Sequence, residues 1–111
     1  MLNITDVNAD VTLFGERYVF DLIHKLCCGF WLLAKRPDKL NDFIDMLPID
    51  DLIVMFASQG SYHIIANKKF DADDYNIAAD IIKSKNYRDL LLTSDKVCVT
   101  LENKILTLVF S

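Results

Sequence analysis

The sequence predicts an α+β fold: a helical N-terminal half around a central buried helix, then an α-β-α-β-β half with a small antiparallel sheet and a C-terminal β-hairpin. Three observations predict it. Apolar residues recur at helical spacing from Val19 to Leu33. Two stretches, Ser61 to Ala66 and Lys96 to Phe110, are rich in β-branched and aromatic residues. Between them, Asp71 stands as an N-cap before a further helical pattern.

Residues 1–10 are polar and irregular, with room for a short edge strand. From about Thr12 the pattern turns helical. Val19, Leu22, Ile23, Leu26, Phe30 and Leu33 make one stripe, and Phe20, Cys27, Trp31 and Ala34 make a second beside it. Only Arg17, Asp21, His24 and Lys25 suit solvent, so this helix is expected inside the fold. Pro37 ends it, because the residue before a proline is pushed away from helical geometry. Asp38 is expected to cap a short helix to about Met46, burying Leu40, Phe43, Ile44 and Leu47. Pro48-Ile49-Asp50-Asp51 then reads as the start of another helix, with acids in its first turn and Gly60 as a left-handed C-terminal cap.

Ser61 to Ala66 reads as a strand, Asn67-Lys68-Lys69 as a turn, and Asp71 to about Lys83 as a helix facing inward through Ile77, Ala78, Ile81 and Ile82. Asn86 to Leu92 is ambiguous, with one further helical turn as an option. Lys96 to Leu101 and Lys104 to Phe110 are two strands around a tight turn at Glu102-Asn103, since Asn tolerates the positive φ that such turns need. One hairpin face is expected to be buried more deeply than the other. The apolar hairpin edge offers a way to pair two chains.

The 111 residues fit one domain, with no internal repeat, linker or low-complexity stretch. At 52% hydrophobic and 25% charged, the chain can bury a core without disulfides or metals. Cys27, Cys28 and Cys98 are odd in number and two are adjacent, which argues against a disulfide framework and for a reducing, cytoplasmic setting. The N-terminus has neither the basic start nor the apolar run of a signal peptide. The longest apolar run, Leu26 to Ala34, is far short of the roughly 20 residues that span a membrane.

Motifs for chemistry fail on spacing. A calcium loop from Asp71 needs Gly at its sixth position and Glu at its twelfth, where the chain has Asn76 and Ile82. His24 and Cys28 stand four apart on one helix, yet with only His63 besides there is no zinc set, and Lys25 is a weak activator for a thiol. Gly15, Gly29 and Gly60 stand too far apart for a phosphate loop. No catalytic residue, metal ligand or cofactor site is assigned. The α-β-α-β-β order is close to a winged helix, but its recognition helix would open on Asp73 and Asp74, which suits phosphates poorly.

Charge is the remaining clue. Residues 38–74 carry eight acids against three bases, a net −5, whereas the whole chain carries −4. All eight are aspartates, short side chains that lose little freedom when fixed. The expectation is an acidic surface, built from Asp42, Asp45, Asp50, Asp51, Asp73 and Asp74, that docks a basic protein partner. In size, acidity and lack of catalytic motifs the chain resembles bacterial immunity proteins and antitoxins. That resemblance implies a non-enzymatic inhibitor, with a nuclease toxin as one such partner. A winged-helix nucleic-acid regulator and a phage or viral inhibitor of a host complex are the alternatives. An enzyme using His24 and Cys28 is a further one.

Overall fold

A computed structural model describes residues 3–9, 15–58 and 60–111. The elements in chain order are β1 (Asn3–Ala9), α1 (Glu16–Lys35), a 3-10 turn (Pro37–Lys39) running into α2 (Leu40–Asp45), β2 (Ile53–Ser58), β3 (Ser61–Ala66), α3 (Ala72–Lys83), α4 (Lys85–Thr93), β4 (Lys96–Glu102) and β5 (Ile105–Phe110). The α+β class and the C-terminal hairpin are both present. The expected start of the first helix near Thr12 falls on residues 10–14, and the expected cap at Ser58-Gln59-Gly60 includes Gln59; these residues lie outside the described ones.

The sheet is larger and more mixed than the small antiparallel one expected. Among the described residues, five strands run in the order β1-β4-β5-β2-β3. β4 pairs antiparallel with β5, placing Val99 opposite Leu108, and β5 pairs parallel with β2, placing Leu108 opposite Phe56. β2 and β3 form a second hairpin, and β1 adds to the far edge parallel to β4.

One correction and one edge strand already allowed for explain the difference. Ile53–Ser58 is a strand, not a helix. A short apolar run cannot be told from a buried helix by periodicity; here Ile53 and Val54 are β-branched and the run lies between two neighbouring strands. Residues 3–9, expected to be irregular apart from an edge strand, do form that edge strand. The uncertain 86–92 segment is helix α4, started by the Ser84 hydroxyl, which accepts from the Tyr87 amide at 3.2 Å. Asp38 does not cap α2; it lies in the 3-10 turn and pairs with Arg36 at 3.9 Å.

The hairpin turn falls at Asn103 and Lys104, one residue later than expected. Both have positive φ, 52° and 62°, the type I′ geometry that matches the twist of the two strands.

The helices pack on one face of the sheet. Phe30 of α1 is fully buried, and its ring lies 5.3 Å from Phe43 of α2, 5.9 Å from Phe110 of β5 and 6.3 Å from Phe56 of β2. Tyr87 of α4 joins the cluster 4.7 Å from Phe56, and its hydroxyl donates to the Phe30 carbonyl at 3.3 Å. Such aromatic pairs add about 0.5–1.5 kcal/mol each beyond simple burial. Gly29 makes the α1–α2 approach possible: a Cβ there would meet the Phe43 ring at 2.6 Å.

The first apolar stripe of α1 is buried as expected, and so are Cys27 and Ala34 of the second. Phe20 and Leu32 stay exposed on the outer side, and Trp31 is half-buried with the Lys35 ammonium 3.8 Å above its ring. α1 is therefore central within the helical layer but open on its outer side.

Candidate functional site

Three turns meet at one end of the sheet. The amide of Ile53, where β2 begins, donates to the carbonyl of Lys104 in the hairpin turn at 2.9 Å. The Asn67 side chain donates to the Leu52 carbonyl at 2.9 Å and accepts from the Lys69 amide at 2.6 Å. These bonds hold the 46–52, 67–71 and 103–104 turns together. α3 begins from the second of them, so its first turn lies at the same end. A capping box fixes that start: the Asp71 carboxylate accepts from the Asp74 amide at 2.8 Å, and the Asp74 carboxylate accepts from the Asp71 amide at 3.4 Å.

This arrangement places Asp50, Asp51, Asp73 and Asp74, of the expected six, at the same end of the sheet. The other two, Asp42 and Asp45, lie on the exposed side of α2. Every one of the six is exposed or half-buried.

The aspartates differ in what already holds them. Asp51 accepts from the Lys104 ammonium at 2.9 Å, and that bond, with Lys69 nearby, lowers its carboxyl below the usual range. Asp42 pairs with Lys39 at 3.7 Å on one helical ridge. Asp74 serves the cap. Among the described residues, Asp45, Asp50 and Asp73 enter no ion pair. Lys68, Lys69 and Lys104 stand among the acids, so the end is acid-rich with bases interleaved rather than uniformly negative.

The His24–Cys28 pair lines an open groove of about 690 Å³ between α1 and Met46, together with Tyr18, Asp21 and Leu32. A second hollow of about 330 Å³ continues it along α2 past Gly29, Arg36 and Asp42. Exposed Tyr18, Leu32 and Met46 give the groove an apolar lining. Cys27, on the other side of α1, is buried, and burial pushes its thiol up to about 12, so it stays protonated and unreactive.

A polar cleft of about 420 Å³ between β3 and the α3–α4 junction gathers Ser61, His63, Asp80, Ser84 and Asn86. It resembles a hydrolase triad only in residue types. The Ser84 hydroxyl donates to the Ile81 carbonyl at 2.6 Å and caps α4, which ties it to the backbone. Among the described residues, no cluster of three His, Cys, Asp or Glu could hold a metal ion. No helix among them is long and apolar enough to cross a membrane. The β4–β5 hairpin lies inside the sheet with β1 on one side and β2 on the other, so it does not project as a wing.

No protein-family model, no curated protein and no solved structure matches this chain.

Proposed function

We infer that the chain is a small non-enzymatic binding protein that covers a basic patch on a protein partner with the acid-rich end of its sheet. The observation that carries this reading is the convergence of the three turns, which sets Asp50, Asp51, Asp73 and Asp74 at one end of the molecule. Asp50 and Asp73 are exposed and outside any ion pair among the described residues, so their charge is available to a partner. Such a field steers encounter and raises on-rates in a salt-dependent way. The partner class that fits is a cationic protein, such as a nuclease toxin whose substrate cleft is basic. Action in the cytoplasm belongs to the same reading, supported by the adjacent thiols Cys27 and Cys28.

The test is co-expression with the product of the neighbouring gene. A basic neighbour should co-purify at low salt and dissociate as ionic strength rises. Asp50→Asn with Asp73→Asn should weaken that complex about tenfold or more, with the fold intact. A complex indifferent to salt and to both substitutions, or a neighbour without basic character, overturns the assignment.

A further inference from the structure

The strand register divides the sheet into two faces. The helices cover one. On the other, Tyr62 and Ile64 of β3 and Ile105 and Val109 of β5 are all exposed, with Met55 and Thr107 half-buried between them. β5 is the middle strand of the five, yet Ile105 and Val109 are 38% and 37% exposed. Among the described residues, then, no helix lies over the middle of this face; at its β3 edge Tyr62 and Ile64 share a hollow with Asp74 and Ile77 of α3.

Size and charge say what covers it. Five strands about 4.8 Å apart, each about six residues long at about 3.3 Å per residue, give a face on the order of 480 Å². Two such faces stacked together bury about 1,000 Å², the area at which specific interfaces begin. From β2 to β5 the middle of the face is uncharged. Charge stands at the two ends of β4, with Lys96 at one and Glu102 at the other, both exposed. A two-fold axis lying between the faces and across the strands sets β4 of one copy antiparallel over β4 of the other. Lys96 of each copy then lies over Glu102 of the other. The face is thus complementary to itself, whereas a cationic partner would find no acid in its middle.

We propose that the uncovered sheet face is a homodimer interface, two copies stacking face to face with Lys96 against Glu102 at both ends. This contact leaves the acid-rich ends at opposite extremes of the dimer and stands independently of their function.

Sedimentation of the full chain from about 1 to about 200 μM tests it. The expected result is twice the chain mass at the upper end. Val109→Lys and Tyr62→Lys should each weaken the dimer about tenfold or more with an unchanged circular-dichroism spectrum. Tyr62, at 62% exposed, is the variant to read if Val109→Lys does not fold. Lys96→Glu should weaken the dimer, and adding Glu102→Lys should restore it. A monomer across the whole range, or a dimer indifferent to both lysine substitutions, overturns the proposal. A double charge reversal no better than the single one overturns the antiparallel register.

Discussion

On β4 and β5, neighbouring residues meet opposite fates. Val97, Val99, Leu106 and Leu108 point toward the helices and are fully buried. Ile105 and Val109 point away and keep more than a third of their surface. On β5 the two faces differ little in residue type, so hydrophobicity alone did not choose between them there; on β4 the open face is polar, with Lys96, Thr100 and Glu102. Cover decided it on β5: α1, α2 and α4 bring Phe30, Phe43 and Tyr87 onto one face, and none of the described helices lies over the middle of the other. An apolar strand face is therefore a core only where something packs on it.

The sharpest way to break this contrast is to truncate one side chain on each face. Phe56→Ala on the covered face should cost about 3–5 kcal/mol, because it empties the centre of the aromatic cluster. Thr100→Ala on the open face should change stability by less than about 1 kcal/mol. Urea unfolding of both variants checks the pair, and similar losses would mean that the open face is packed after all.

Gly29→Ala probes the covered side from the helix layer. The new methyl would press on the Phe43 ring, at a cost of about 1–3 kcal/mol. Phe43→Leu in the same chain should recover part of that loss, so that the double variant unfolds at higher denaturant than Gly29→Ala alone.

Alkaline pH separates buried from exposed groups next. The Cys27 thiol is raised from its ordinary 9.0 to about 12 by burial and by the neighbouring Cys28. The unfolded chain releases that proton first, so the contribution is complete below pH 9 and drains as pH rises toward 12. The slope is about 1.4 kcal/mol per pH unit. Tyr87, also raised by burial, adds to the loss above its ordinary 10.0. Cys27→Ala should flatten the fall from pH 9 upward. Tyr87→Phe should flatten it higher up and cost about 1 kcal/mol at neutral pH through the lost bond to Phe30.

The smallest effect belongs to the acid-rich end. The carboxyl of Asp51 is held low by Lys104, so its contribution is present above the ordinary value of 3.8 and disappears as pH falls through the lowered one. Asp51→Asn should remove that portion of the acid-unfolding curve. Lys104→Met should remove the same portion, and the double variant no more than either alone. Because the bridge is half-exposed, the shift in midpoint should be slight.

Local patterns placed most elements. The stripe from Val19 to Leu33, the Asp71 cap and the alternation in 97–109 each depend on neighbours within a turn or a strand pair, and these formed where expected. Ile53–Ser58 failed for the same reason in reverse, since a short run apolar throughout carries no local signature of helix or strand. The acid-rich end was half visible. The aspartates could be counted along the chain, but their gathering depends on which turns the sheet brings together.

What could be read from the chain alone was whatever a residue settles with partners three or four positions away: caps, stripes, turns and the uneven charge of 38–74. The strand order and the parallel pairing of β2 with β5 belong to the tertiary structure. So do the choice of covered face and the bond between Asp51 and Lys104. They arise from contacts between residues dozens of positions apart, whose energies no local pattern encodes.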